Sequence, residues 1–258
     1  MSSSVPSYNV SPGSLGSNVP KSPILPTTSN ATFVDRPSVF PRIIHQVWLN
    51  PPVPDVLLYL TDRMLRLNPG WDYKLWTIDN LPPLFNASVF NGEKVFSHKS
   101  DVVRYEIVAR FGGVYVDFDM IWLRGLDELS LDRTQGFVAR EQHYNPDGSG
   151  GILNNGVFGF PIASPPAWAL VDRLHDSNET WGPETKEWWN RGGVGYFTKI
   201  IREFPQVTVL HRDTFHFPWS KKPSMVPIHD HPSAIALHFY NSWDRLAAVK
   251  RLIEQGKI

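Results

Sequence analysis

The chain has 258 residues, 41% hydrophobic and 19% charged, with 25 basic residues against 25 acidic ones. This suits a single α/β domain with a substantial core, and it argues against a nucleic-acid-binding stripe or a polybasic membrane patch. There are no cysteines, so disulfides and thiolate metal sites are excluded, and any metal must use Asp, Glu, His, Asn or water, a donor set suited to Mg, Mn or Ca.

Residues 1–38 are rich in Ser, Pro, Asn and Gly and read as a disordered tail before one folded domain over 39–258. Strand and helix patterns then alternate, the signature of an α/β sheet. Arg42–Leu49 reads as a strand stopped by Asn50-Pro51-Pro52, and Asp55–Leu67 as a helix closed by Asn68-Pro69-Gly70. Tyr73–Ile78 is a short strand. Ser100–Phe111 is a helix with Val103, Ile107 and Phe111 on one stripe, ended by Gly112-Gly113. Val114–Asp119 reads as a strand, followed by strands at Gly136–Arg140 and Val157–Phe160. Helices are expected at Pro166–Asp176 and Tyr196–Phe204, strands at Val207–His211 and Ile235–Tyr240, and a last helix at Trp243–Gln255. No run approaches 18 apolar residues and no basic-then-apolar leader is visible. The expectation is therefore no membrane span and a cytoplasmic location, although a Golgi-lumen chain relieved of its anchor would read the same way. Three Asn-x-Ser/Thr sequons, at Asn30, Asn86 and Asn178, carry little weight as glycosylation signals.

The chemistry concentrates in Ser100–Leu126. Asp101 and Arg104 stand three residues apart on a helix and share a face. On the following strand Val114, Val116 and Phe118 point one way, and Tyr115, Asp117 and Asp119 the other. Two carboxylates would thus sit at a strand's carboxyl end, where α/β sheets bind ligands. Close carboxylates repel, and a divalent cation shared with a diphosphate removes that cost. The bland alternative is a strand end carrying two solvated Asp residues.

The whole pattern S-D-x-x-R-Y, then F-G-G-x-Y-x-D-x-D, resembles the DXD region of glycosyltransferase family 32, which includes α-mannosyltransferases and is related to the glucosylating domains of large clostridial toxins. It is carried here by Ser100, Asp101, Arg104, Tyr105, Phe111, Gly112, Gly113, Tyr115, Asp117 and Asp119. Pro41–Trp48 resembles the family's opening strand, and Leu237–Trp243 its closing H-x-x-x-x-W loop.

The resemblance implies a GT-A fold, a Rossmann-like central sheet flanked by helices, and a retaining hexosyl transfer from a nucleotide sugar. It implies donor contacts from Val47, Trp48, Asp101, Arg104, Tyr115, Asp117 and Trp243. A metal, Mn²⁺ or Mg²⁺, would be held by Asp119 with His238 and Asn241. Asn154 and Asn155 match the position of a polar residue beside the reacting sugar, while their Asn-Gly sequence also reads as a turn. The closing loop favours GDP-mannose as donor, with a UDP-sugar as the alternative. The acceptor is left open between a glycan, a protein and a small molecule.

Two rival readings remain. A calcium-dependent sugar-binding module could use the acidic pair and the 10 Trp residues. A glycoside hydrolase could use Glu141, but a partner carboxylate flanking the sugar is not evident.

Overall fold

The computed structural model describes residues 39–142, 151–179, 185–215, 233–239 and 243–258. The expected tail at 1–38 and Asn241 lie outside the described residues, as does the side chain of Trp243. Pro37–Ile258 forms one compact unit.

Strand β1 (Ile43–Val47) leads into α1 (Asp55–Leu67), whose buried residues Leu57, Leu60, Thr61 and Met64 fall on one stripe at helical spacing. Each fully buried Leu contributes roughly 2 kcal/mol against solvent exposure. Strand β2 (Asp72–Trp76) returns parallel to β1. A short helix α2 (Ala87–Gly92), absent from the sequence expectation, precedes α3 (Phe96–Phe111).

Helix α3 departs from its expected single stripe. Every residue from Asp101 to Ala109 is buried, while Phe111, predicted inside, is 38% exposed and stacks on Trp76. The cause is packing on more than one side, against β1, β3 and β6 below and α4 (Pro165–Glu179) above. A helix enclosed in this way places even its polar residues in the interior, and these are the residues of the site.

The α3–β3 turn requires glycine. Gly112 and Gly113 have φ of +62° and +92°, and a Cβ on Gly113 would lie 2.6 Å from the Ile43 carbonyl oxygen. Strand β3 (Gly113–Val116) is entirely buried. It ends at Val116, not at Asp119 as expected, so the acidic pair occupies the turn into β4 (Met120–Trp122).

The main sheet runs β2-β1-β3-β6-β5-β7, with β5 at Phe137–Gln142, β6 at Ile152–Phe160 and β7 at Thr208–Leu210. Strands β1, β2 and β3 are parallel, and β6 is antiparallel to both β3 and β5. Strand β6 begins five residues earlier than expected, so Asn154-Asn155-Gly156 is strand and not a turn. Helices α5 (Thr185–Arg191) and α6 (Val194–Ile201) follow α4, and α6 packs on β6. A two-stranded sheet pairs β4 with β8 (Ala236–His238), bringing His238 opposite Met120. Helix α7 (Trp243–Glu254) closes the chain against α1.

No helix among the described residues is long and apolar enough to cross a membrane. Asn86 of the second sequon is buried and its amide donates to the Val171 carbonyl, which leaves no room for a glycan there.

Candidate active site

The site lies at the carboxyl end of β3. Asp117 receives a backbone bridge from β6, its N–H donating to the Gly156 carbonyl at 2.7 Å. Gln46 of β1 donates to the Asp117 carbonyl at 3.3 Å, and is itself fixed by hydroxyls of Thr61 and Tyr73, each 3.0 Å from its Oε1. Three elements therefore set the position of this carboxylate before any ligand arrives.

Two side-chain networks meet there. The first is built on Arg104, which is 6% exposed. Its guanidinium lies 3.4 Å from carboxylate oxygens of both Asp101 and Asp117, stacks over Tyr115 at 4.6 Å, and donates to the Asn155 carbonyl at 2.8 Å. Asp101 accepts from the Asn155 amide at 2.8 Å on one oxygen and from the Trp188 indole N–H at 2.7 Å on the other. Tyr105 accepts from the same Asn155 amide and donates to the Gly192 carbonyl, and Tyr115 donates to Asp117 at 2.6 Å. Asn155 thus satisfies both its donors inside the network, as a buried amide must.

The second network is the cluster of Asp117, Asp119 and His238, whose ligand atoms lie within 4.8 Å of one another. His238 Nε2 is 2.9 Å from Asp119 Oδ1 and 3.8 Å from Asp117 Oδ2. Burial works against a charged imidazole, yet Asp119 first and then Asp117 outweigh it, and the His238 pKa is raised. Burial likewise pushes the Asp117 pKa up, with Arg104 opposing and the neighbouring Asp119 adding to it. Burial also raises Asp101, against the pull of Arg104 and the Trp188 N–H. Both Asp117 and Asp101 therefore carry a desolvation cost that a cation or a ligand donor can offset.

The arrangement fits a divalent cation. Two carboxylates and one imidazole suit Mn²⁺, and Mg²⁺ with more water. Glycine at 156 lets these side chains close on the backbone: a Cβ there would lie 2.5 Å from Asp117 Oδ2, 2.7 Å from Asn154 Oδ1 and 3.1 Å from His238 Cε1.

The structure gathers most of the predicted residues. Asp101, Arg104, Tyr115, Asp117 and Asn155 share the first network, and Asp119 and His238 join Asp117 in the second. Asn154 faces the second through Gly156, whose N–H it accepts at 2.5 Å. Val47 is buried at the end of β1, and the half-buried Trp48 meets Phe118, between the two Asp residues, edge-on at 5.3 Å. Asn241 and the Trp243 side chain lie outside the described residues.

Sequence reasoning missed Trp188, Gly156 and the contact of Glu141 with Asn154 at 3.2 Å. Trp188 stands 87 residues from Asp101, and no local pattern announces such a pair.

Residues 54–135 match the family described as "Glycosyltransferase sugar-binding region containing DXD motif". This segment carries Asp101, Arg104, Asp117 and Asp119. It is a glycosyltransferase sugar-binding region of the DXD type.

Two curated relatives match over longer stretches. "Inositol phosphoceramide mannosyltransferase 3" of Schizosaccharomyces pombe is 26% identical over 148 residues, which is 55% of this chain and 39% of the relative. "Glucan organizing enzyme 1" of Cryptococcus neoformans is 30% identical over 199 residues, covering 74% of this chain and 52% of the relative. The chain thus spans less than two thirds of the curated relatives it matches. Among solved structures, the PaToxG glycosyltransferase superposes with a TM-score of 0.51 at 16% identity, over 66% of this chain and 72% of that one. The fold around the DXD region is accordingly the expected GT-A fold.

Proposed function

We propose that this chain is a metal-dependent retaining glycosyltransferase that moves a hexose from a nucleotide sugar to an acceptor hydroxyl. Mannose from GDP-mannose is the favoured transfer, supported by relatives named as mannosyltransferases, and a UDP-sugar is the alternative donor. The observation that carries the reading is the Asp117, Asp119 and His238 cluster inside a DXD-type sugar-binding region. When bound there, Mn²⁺ or Mg²⁺ would supply Lewis-acid neutralisation of the departing diphosphate.

The chain's own residues do the rest. Asp119 and His238 would hold the cation together with Asp117, which is tied to Tyr115 and Arg104. Asp101 and Arg104 present charge to the sugar hydroxyls, held in place by Asn155 and Trp188. Trp48 offers a flat face for the base at the end of β1. Asp101 already accepts from two donors and is poorly disposed to act as a covalent nucleophile. Attack on the same face as the departing phosphate follows as the economical retaining route. The relatives' names put inositol phosphoceramide first among acceptors to try, ahead of other glycan, protein and small-molecule hydroxyls.

The test is donor turnover with Mn²⁺, comparing GDP-mannose, UDP-glucose, UDP-galactose and UDP-N-acetylglucosamine. One nucleoside diphosphate should be released, and the paired Asp117→Ala, Asp119→Ala protein should release none. Binding to free glycans in Ca²⁺ without donor turnover would instead establish a sugar-binding module. Cleavage of glycans without any nucleotide would establish a hydrolase.

A further inference from the structure

We propose that Glu141 is the acceptor-side carboxylate of this site, accepting a hydrogen bond from the hydroxyl that attacks the sugar. The proposal rests on the transferase reading above.

The β5–β6 ladder is irregular where the two strands pass the site. Arg140 pairs with Leu153 and Gln142 with Ile152, so Glu141 is the extra residue of a bulge. On the facing strand, Ala139 pairs with Asn154 while Val138 pairs with Phe158, so Asn155, Gly156 and Val157 are extra there. A bulge re-aims the side chain it carries, and bulges concentrate beside active sites. The displaced stretch of β6 turns to β3 instead, where Val157 pairs with Val116 and the Gly156 carbonyl takes the Asp117 N–H.

Between the two strands, the Asn154 amide donates to Glu141 Oε2 at 3.2 Å and its oxygen accepts the Gly156 N–H. Gly156 in turn lies against Asp117 and His238. Glu141 is half-buried. It is thus a carboxylate one side chain away from the cluster, on the far side of Asn154.

Strand order gives this position a chemical meaning. From β1 outward the sheet presents Trp48, then Asp117 at β3, then Asn154 to Gly156 on β6, then Glu141 on β5. Adjacent strands lie about 4.8 Å apart, so β1 and β5 are separated by three spacings, enough to lay out base, diphosphate and sugar in that sequence. Glu141 falls one strand beyond the sugar, where the acceptor must approach C1.

In the transfer step the acceptor oxygen bonds to C1, and the C1–O bond to phosphate breaks with its electron pair leaving on the diphosphate. The hydroxyl proton passes along its hydrogen bond to the Glu141 carboxylate, which afterwards releases it to water. Glu141 fixes the direction of the attacking lone pair, and a charged acceptor is a stronger anchor than a neutral amide. Water that intrudes as acceptor occupies the same place.

The experiment uses the full chain, Mn²⁺, and the donor that wild type turns over, with water as the acceptor probe. Glu141→Gln keeps an oxygen for the Asn154 amide but loses the charge, whereas Glu141→Ala loses both. Both variants should lower kcat of donor hydrolysis by at least about tenfold, with donor KM and Mn²⁺-dependent GDP affinity unchanged. If Glu141→Gln matches wild type and only Glu141→Ala fails, Glu141 merely props Asn154, and the proposal is overturned. Parallel loss of GDP affinity in Glu141→Gln overturns it as well. A wild-type chain that neither binds nor turns over any donor removes the transferase reading itself, a result distinct from either variant outcome.

Discussion

His45 sits where β1 meets the α3–β3 turn. Its Nε2–H donates to the Gly112 carbonyl at 2.8 Å, and its Nδ1 accepts from the Trp76 indole at 3.1 Å. Those two bonds fix one neutral tautomer. Burial lowers its pKa to about 4, with the Gly112 hydrogen bond opposing and Lys74 adding to the fall. The unfolded chain therefore binds this proton near pH 6.5 while the folded chain refuses it until about pH 4. Stability from the neutral ring is present above pH 6.5 and is lost as pH falls toward 4, by about 2 kcal/mol on reaching pH 5. Urea midpoints measured at pH 7 and pH 5 should diverge for wild type, and should diverge by about that much less for His45→Gln. Equal pH dependence in the two proteins would mean that the imidazole is not held neutral. His45 is the His of the opening-strand pattern that the sequence resemblance covers, but the pattern does not say what it does. Its role needs Gly112 and Trp76, which are 67 and 31 residues away.

Among the elements, β6 shows most clearly what a one-dimensional reading loses. Asn154-Asn155-Gly156 carries a strong turn signal, and the structure keeps it in a strand because both neighbours compete for it. Strand β3 takes Gly156 and Val157, and β5 takes Asn154. At position 156 a Cβ would collide with Asp117 and Asn154 and press on His238, so glycine lets the three close together. Gly156→Ala should accordingly weaken Mn²⁺ binding by tenfold or more, on the order of 1.4 kcal/mol, while α1, α3 and the β1–β3 ladder remain intact. Calorimetric titration with Mn²⁺ beside a far-ultraviolet spectrum checks both halves, and unaltered affinity would show that cation binding does not depend on this close approach. By contrast, α1 was readable to its last residue because its buried stripe follows one helical period. Helix α3 was readable at its end, where Gly112-Gly113 adopts positive φ, but not at its start or in its burial, because α4 covers the face that its sequence would leave to water.

At the scale of the whole molecule, the site joins segments around residues 46, 101–105, 115–119, 154–156, 188 and 238. Asp101 to Asp119 lie in one contiguous stretch whose spacing exposed them, whereas Trp188 and Glu141 enter only through the packing of α5 and the bulge in β5. A site drawn from so many elements exists only in the folded chain, so its ligands must stabilise the fold by mass action. The free site also carries desolvated, mutually repelling carboxylates, because burial and Asp119 both raise the Asp117 pKa. A diphosphate alone adds to that repulsion, whereas Mn²⁺ reverses it. GDP without metal should therefore leave the melting temperature nearly unchanged. GDP with Mn²⁺, at about 100 times its Kd, should add about 2.7 kcal/mol, which for a domain of this size raises Tm by about 5–10 °C. EDTA should abolish the gain. Asp119→Ala should lose the gain without losing much metal-free stability, since removing one carboxylate relieves Asp117 even as His238 loses its 2.9 Å partner. A full thermal shift from GDP in EDTA would overturn the metal-bridged reading, because the acidic pair would then be holding a diphosphate that it should repel.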